Sequence, residues 1–216
     1  MELAVRAGIL QFPIYDGKQP HTSSFGSLGV LIGCLLNLSV NRVGSFYDLN
    51  GQKRWTDAGS PVSWWSNVTI RNYEINQKCI KDVHSNLTQT VFDYDKKQWK
   101  TFKVTSDPHD YLKRFSLQLT QGSKLSLLGY RDWVKKKGLR EGNIPGLNLS
   151  KEQMLFLTQA QTFCRAEHAD DFLNAAEGYM LQATAVNSAL GQVGEFSEVF
   201  SCKKNSNMNP AQRCQF

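Results

Sequence analysis

Cysteine and histidine are the side chains in this sequence that could act as nucleophiles, bases or metal ligands. The five cysteines are an odd number, so at least one thiol is free or pairs with another chain; they are Cys34, Cys79, Cys164, Cys202 and Cys214. Cys34 would need a neighbouring base to act as a nucleophile, and the sequence offers none, which favours an inert, buried residue. His168 with Asp170 and Asp171 forms a weak metal-like cluster, which is more typical of a helix-capping turn.

Four N-x-S/T sequons form a second group of reactive positions, because each can accept an N-linked glycan in the secretory pathway. Together with several cysteines they favour a secretory origin. Asn37 falls in an apolar, helical stretch and is expected to be buried, which leaves Asn67, Asn86 and Asn148 as the glycosylation candidates. The first residues lack the basic and apolar regions of a signal peptide, so the sequence as it stands predicts no export signal.

Composition and charge limit the classes of protein to which this sequence can belong. Apolar residues make up 41% of the 216 residues and charged residues 20%, which is typical of one globular domain with a hydrophobic core. No apolar run reaches the length of about 20 residues that a bilayer requires, so no membrane span is predicted. The most apolar stretch, Leu28–Val40, is interpreted as a buried core helix. The net charge of +6 comes from scattered residues, and nucleic acid is not expected as a partner.

Helices are predicted to dominate and to position these residues. The apolar pattern indicates a helix from Ser24, a second from near Trp64 to beyond Cys79, and a third over 111–137 that is interrupted at Gly122. The next helix should begin at Ser150, because Ser150 and Gln153 have the spacing of a capping box. Its apolar face is expected at Met154, Leu157, Ala160 and Phe163.

The fold class follows from these elements. The polar stretch 48–61 is a predicted loop, and no linker, repeat or low-complexity segment divides the chain. Residues 1–216 are therefore interpreted as a single domain of the α+β class, mainly α-helical with a little β-structure.

Four sequence segments together resemble one known family. Residues 7–11 read AGILQ, 63–66 read SWWS, 155–164 read LFLTQAQTFC, and 195–210 read EFSEVFSCKKNSNMNP, followed by Cys214. In the same order, they resemble the C-terminal lobe of the neprilysin and endothelin-converting-enzyme family of zinc metallopeptidases. The resemblance covers nearly all of the chain apart from an extra loop near 52–59, and that family's N-terminal lobe and membrane anchor have no counterpart. It implies a thermolysin-like (zincin) peptidase-lobe fragment.

The resemblance also implies where zinc chemistry would lie. In that family two histidines four residues apart on one helix bind the zinc, and a glutamate after the first histidine activates the bound water. The corresponding stretch is 29–38, GVLIGCLLNL, in which Gly33 keeps the family register. Cys34 then replaces the first histidine, Leu35 replaces the general-base glutamate, and Leu38 replaces the second histidine.

The remaining family roles fall on residues that cannot fulfil them either. The third-ligand glutamate corresponds to Phe115, and the aspartate that orients a histidine corresponds to Leu119. The late histidine falls near Tyr179 and the arginine near Ala185. Because leucine and phenylalanine offer zinc no lone pair, the resemblance predicts that the family zinc is lost and that the chain is not an enzyme.

For the cysteines, the resemblance implies a disulfide between Cys79 and Cys214, which would tie the polar C-terminal tail to the domain. The positions of Cys164 and Cys202 bridge to the N-terminal lobe in that family, so here these two are expected to be unpaired or to join each other. Cys34 is expected to stay reduced.

Two functions remain open at this point. The first is a catalytically inactive neprilysin-like protein, a pseudopeptidase that binds peptides or an active paralogue outside the cell or at its surface. The second is a truncated fragment of a neprilysin-like metalloendopeptidase involved in peptide processing and proteolysis. An active peptidase with an altered site is disfavoured, because the ligand, base and oxyanion roles are all replaced.

Overall fold

The structure is a computed structural model that describes residues 3–85, 87–104, 111–138, 142, 144–164 and 181–214, with the backbone alone for 111–115. Short 3₁₀ turns lie at Ala7–Ile9 and Gly44–Phe46. The helices are α1 (His21–Ser24), a π-helical turn (Phe25–Gly29), α2 (Val30–Ser39), α3 (Asn67–Ser85), α4 (Tyr111–Lys137), α5 (Lys151–Thr162), α6 (Gln182–Gly191) and α7 (Gly194–Val199). The strands are β1 (Thr88–Asp93) and β2 (Gln98–Lys103). The predicted mainly helical class is confirmed.

The helix α1, the π-helical turn and α2 form one continuous helical run, His21–Ser39, of 19 residues. By length and composition alone this run is long enough and apolar enough to cross a membrane. The prediction of no membrane span rested only on the shorter apolar stretch, Leu28–Val40. In this fold, however, the run packs along α4 and α5 and contributes the fully buried Val30 to the core. The absence of a membrane span therefore stays a prediction.

α4 is the central helix, and α2 packs against it with unusually close backbones. A Cβ at Gly33 would lie 2.8 Å from the carbonyl oxygen of Gly122. A Cβ at Gly29 would lie 2.7 Å from the Ser126 hydroxyl, one helical turn along the same contact. The predicted interruption of α4 at Gly122 is wrong, because this glycine continues the helix and provides the space for α2. α4 ends as predicted at Gly138, which has a φ of +62°.

α5 begins at the predicted capping box. The Ser150 hydroxyl accepts a hydrogen bond from the Gln153 amide, and the Gln153 side chain accepts one from the Ser150 amide. The predicted apolar face needs one correction, because Leu157 is exposed while Leu155 and Phe156 are fully buried. α5 lies between neighbours on more than one side, so its buried surface is wider than a single stripe.

The main core joins α2, α4, α5, α6 and the turn before α7. Its buried apolar members are Val30, Leu119, Leu127, Tyr130, Leu155, Phe156, Val186, Ala189, Leu190 and Val193. At the rim of this core, Arg131 of α4 and Glu152 of α5 form a bidentate ion pair with its shorter N–O distance at 2.7 Å. The helices α2, α4, α5 and α6 are thus held by one common core, to which each contributes an apolar face.

The strands form one antiparallel hairpin, β1–β2, which sequence reasoning did not place. Thr88 pairs with Lys103 and Asp93 pairs with Gln98 at the two ends of the hairpin. The Asp93 carboxylate accepts hydrogen bonds from the amides of Asp95 and Lys96, which closes the turn. Its other oxygen is 2.8 Å from the Lys100 ammonium, and together these contacts lower the pKa of the Asp93 carboxyl.

Candidate functional site

The first position of the expected zinc motif, Cys34, lies at the contact between α2 and α4. Its Sγ donates a hydrogen bond to the carbonyl oxygen of Gln118, at 3.4 Å. A Cβ on Gly122 would lie only 2.6 Å from this sulfur, so the thiol fills the small space between the two helices. Burial raises the pKa of the Cys34 thiol from 9.0 to about 12. The thiol is therefore neutral at physiological pH and a poor nucleophile.

The other two motif positions on α2 face outward. The exposed fraction of Leu35 is 40% and that of Leu38 is 36%, and the neighbouring Leu36 is 46% exposed. These leucines form an uncovered apolar surface on the outer side of the helix. None of them carries an atom that can coordinate a metal or accept a proton.

The expected second-helix positions, Phe115 and Leu119, both fall within α4. Leu119 is fully buried and belongs to the main core, and it follows Gln118, the residue that accepts the hydrogen bond from Cys34. The structure thus brings Cys34 and Leu119 to the same helix–helix contact. Phe115 lies in the first turns of α4, where the structure describes the backbone but not the side chain.

The positions expected for the family's late histidine and arginine are Tyr179 and Ala185, and the structure describes only the second of them. Ala185 lies in α6 with 1% of its surface exposed and packs with Val104, so a small side chain suits this position. Tyr179 lies outside the described residues, as does the cluster of His168 with Asp170 and Asp171. Over the part of the chain that the structure describes, no group of three or more His, Cys, Asp or Glu side chains could hold a metal ion.

The cysteines are arranged as the resemblance implied for Cys79 and Cys214, which form a disulfide across 135 residues of sequence. Cys214 is buried against Ile80 and Leu117. Its amide donates a hydrogen bond to the Gln192 side chain, which fixes the tail further. Of the remaining thiols, Cys164 is free and exposed, and Cys202 is free and half-buried, so these two are not joined to each other.

The sequons differ in accessibility. Asn37 is buried and donates its side-chain amide to the Gly33 carbonyl oxygen, at 3.2 Å. Asn67, the first residue of α3, and Asn148, in the loop before α5, are both exposed. Asn86 lies outside the described residues.

One further cleft was missed by sequence reasoning. It lies beside the C-terminal end of α2, has a volume of about 630 Å³, and is lined mainly by Gly44, Tyr47, Asp48, Leu49, Arg54 and Trp64. The segment that builds it includes the predicted loop and the extra stretch near 52–59. The signal that could have found it is the combination of one arginine with three tryptophans in the sequence RWTDAGSPVSWW, which starts at Arg54.

A helix with the expected zinc-motif positions, packed on a long helix with the expected third-ligand position, is the arrangement that the resemblance implies for a zinc metallopeptidase lobe. The chain belongs to peptidase family M13, whose model matches residues 1–216.

Relatives of known identity support this family assignment. An endothelin-converting enzyme homolog of Locusta migratoria is 29% identical over 216 residues, which are 99% of this chain and 27% of that protein. Human neprilysin is 27% identical over 224 aligned residues, covering 99% of this chain and 26% of neprilysin. The chain thus spans about a quarter of the length of these curated relatives.

Solved structures confirm the fold. A chain of the Haemonchus galactose-containing glycoprotein complex superimposes with a TM-score of 0.73 at 18% identity, over 97% of this chain and 33% of that chain. The zinc metalloprotease Zmp1 of Mycobacterium tuberculosis, in its open state, superimposes with a TM-score of 0.69 at 19% identity, over 97% and 30%. The predicted peptidase-lobe fold is therefore confirmed.

Proposed function

We propose that this chain is a catalytically inactive member of its family, a pseudopeptidase that binds no zinc and acts by binding peptides or another protein. The observation that carries the proposal is the set of side chains at the motif positions of α2. A half-buried thiol stands at Cys34, and apolar side chains stand at Leu35 and Leu38. The resemblance assigns these three positions to two zinc ligands and the general base.

The physical argument concerns ligand number and proton transfer. A catalytic zinc site of this type needs three protein ligands and one open position for water. Cys34 offers a protonated thiol, because burial raises the pKa of that group to about 12. Leu35 can neither polarise a water molecule nor accept its proton. With neither a metal nor a base at these positions, peptide hydrolysis lacks its nucleophile.

The direct test is metal analysis of the purified chain after incubation with zinc and mild chelation. We expect far less than one zinc per chain. A fluorogenic peptide of the kind cleaved by neprilysin should remain intact, whether or not zinc is added. Stoichiometric zinc that survives chelation, or cleavage that a zinc chelator or phosphoramidon abolishes, would overturn the proposal.

Partial restoration of the motif gives a sharper version of this test. The triple variant Cys34→His, Leu35→Glu, Leu38→His rebuilds the family motif on α2 but leaves Phe115 at the third-ligand position. We expect it to remain inactive, because two histidines alone do not form a catalytic zinc site. Peptide cleavage by this variant would show that a third ligand comes from elsewhere in the chain, and would contradict the assignment of that role to the position of Phe115.

A second candidate function is that the chain forms part of a larger metalloendopeptidase involved in peptide processing. The free thiol of Cys164 is exposed and that of Cys202 is half-buried, and in the family these positions bridge to the N-terminal lobe. Non-reducing peptide mapping of the protein from its natural source distinguishes the two candidates. A disulfide from Cys164 or Cys202 to another polypeptide supports the assembly, whereas free thiols support the independent pseudopeptidase.

We place the protein outside the cell or at the cell surface. The exposed sequon asparagines Asn67 and Asn148 and the Cys79–Cys214 disulfide support this location, because glycans and disulfides both form in the secretory pathway. When the chain is directed into that pathway, glycosidase-sensitive modification is expected at Asn148 and Asn67 but not at the buried Asn37. An unmodified Asn148 together with reduced Cys79 in the natural protein would contradict this location.

A further inference from the structure

We infer that the cleft beside the C-terminal end of α2 is a peptide-binding site that holds one acidic side chain of its ligand next to one large apolar side chain. The inference rests on the proposed binding role and adds the place and the ligand class. Its cavity of about 630 Å³ is within the size range of small-molecule sites, which is roughly 300–1,000 Å³. Two neighbouring side chains of a bound peptide fit a site of this size.

The segment that forms the cleft is held by backbone hydrogen bonds. The Arg54 amide donates to the Phe46 carbonyl oxygen, at 3.0 Å, and the Val62 amide donates to the Arg54 carbonyl oxygen, at 2.9 Å. The Trp64 amide donates to the Ser45 carbonyl oxygen, at 2.9 Å. Arg54 and Trp64 therefore extend from a fixed backbone, which reduces the conformational entropy lost when a ligand binds.

Two tight turns bring the walls of the cleft together. Asp48 accepts hydrogen bonds from the amides of Asn50 and Gln52, both at 2.9 Å, and this closes the first turn. One oxygen of the Asp48 carboxylate, Oδ1, is thus engaged in the turn that carries it. Gly51 and Gly59 each have a φ of +74°, a conformation that favours glycine, so both turns depend on these residues.

The basic side chains of this segment differ in whether another group already contacts their charge. Arg42 lies over the Phe46 ring, with its Cζ 4.6 Å from the centroid, and Lys53 lies over the Trp55 ring, with its Nζ 4.4 Å from the centroid. Arg54 lines the cleft and, among the described residues, makes no side-chain hydrogen bond, ion pair or ring contact. Asp48 is a second charged residue of the lining, but among the described residues it forms no ion pair with Arg54. The Arg54 guanidinium is therefore available to a ligand carboxylate, which it can bind through two parallel hydrogen bonds.

The apolar walls define the second half of the ligand. Trp64 is 51% exposed, Tyr47 is 38% exposed, and Leu49 at the rim is fully exposed. Large apolar side chains left uncovered around one cation are typical of binding surfaces rather than of ordinary protein surface. The cleft is a partly open surface depression and not an enclosed cavity, so a peptide backbone can lie across it. We therefore assign the carboxylate to an internal aspartate or glutamate and not to a chain terminus.

The test uses the full chain and the acetylated, amidated peptide Ala-Leu-Glu-Phe-Ala, with its Gln counterpart as the matched probe. Isothermal titration calorimetry should show binding of the Glu peptide, and binding at least tenfold weaker for the Gln peptide. Arg54→Gln should weaken binding of the Glu peptide by a similar factor and abolish the preference for Glu over Gln. Arg6→Gln changes the net charge equally at an exposed residue outside the cleft and should leave binding unchanged.

A pair of tryptophan variants tests the apolar wall independently of charge. Trp64→Ala should weaken binding of both peptides by at least fivefold, whereas Trp55→Ala, which removes an equally exposed ring outside the cleft lining, should have no effect. Equal binding by the unmodified chain and the Arg54→Gln variant would place peptide binding elsewhere and overturn the inference while the proposed function stands. Failure of the unmodified chain to bind the Glu peptide would also overturn it, and the zinc and cleavage assays would still judge the proposed function.

Discussion

Gly33 of α2 and Gly122 of α4 meet backbone to backbone, with the Cα of Gly122 only 2.9 Å from the place where a Cβ on Gly33 would lie. These are the two helices to which the family resemblance assigns the zinc-ligand positions. The contact places Cys34 against α4 and next to the buried Leu119. The distance between α2 and α4 is therefore set by glycine at positions 33 and 122.

Gly33→Ala should destabilise the protein by about 1–3 kcal/mol, because the added methyl group overlaps the backbone of α4. The sign is informative, since alanine in a helix interior is otherwise about 1 kcal/mol more favourable than glycine. Urea denaturation followed by circular dichroism measures the difference. Gly17→Ala, where a Cβ meets nothing within 4 Å, is the control and should change stability far less. A Gly33→Ala variant more stable than the unmodified chain would refute this account of the contact.

Cys34 should be the least reactive thiol of the folded protein. Burial raises its pKa to about 12, so at pH 8 almost none of it is thiolate, whereas Cys164 is exposed. Brief alkylation at pH 8, mapped by mass spectrometry, should modify Cys164 and leave Cys34 unmodified until denaturant is added. Modification of both at similar rates would show that the contact between α2 and α4 opens readily.

The same burial predicts a dependence of stability on alkaline pH. The folded thiol of Cys34 ionises near pH 12 and the unfolded thiol near 9.0, so between these values the unfolded state binds fewer protons. The contribution to stability is full below pH 9 and is lost as pH rises towards 12, with a slope of up to about 1.4 kcal/mol per pH unit. The unmodified chain should therefore lose stability more steeply than Cys34→Ala over this range. Parallel slopes in urea denaturation would argue against a buried thiol.

Removal of the Cys79–Cys214 disulfide should destabilise the protein substantially. The bond spans 135 residues, and in the chain-entropy model closing a loop of this length contributes roughly 4–5 kcal/mol. The double variant Cys79→Ala, Cys214→Ala should show this loss in equilibrium denaturation, and Cys202→Ala, which removes a free thiol, should not. Non-reducing peptide mapping should recover the Cys79–Cys214 peptide. A free Cys79, or one paired with Cys164, would contradict the structure.

Ser150→Ala should cost about 1 kcal/mol of stability, because the hydroxyl is the N-cap of α5. The variant leaves the Gln153 amide without its hydrogen-bond acceptor. Thermal or urea denaturation measures the loss, and Ser60→Ala, in an exposed loop, is the control. Equal stability of the two variants would show that solvent replaces the cap without loss.

The sequence alone determined the features that depend on near neighbours. Ser150 and Gln153 satisfy each other within one helical turn, and Gly138 ends α4 because its own φ is positive. The residue types at Cys34, Leu35 and Leu38 likewise limit the chemistry of those positions wherever the helix lies. Such inferences hold because the interacting groups are few residues apart, or because the side chain itself lacks the required atom.

Only the tertiary structure decided the features that depend on distant segments. Gly122 was expected to interrupt α4, but it continues the helix because α2 occupies the space that a side chain would fill. Leu157 was expected inside and lies outside, because the core surrounds Leu155 and Phe156 instead. The cleft at Arg54 depends on a backbone hydrogen bond between Trp64 and Ser45. Each outcome is set by which surfaces meet after folding, and a local pattern of residues does not contain that information.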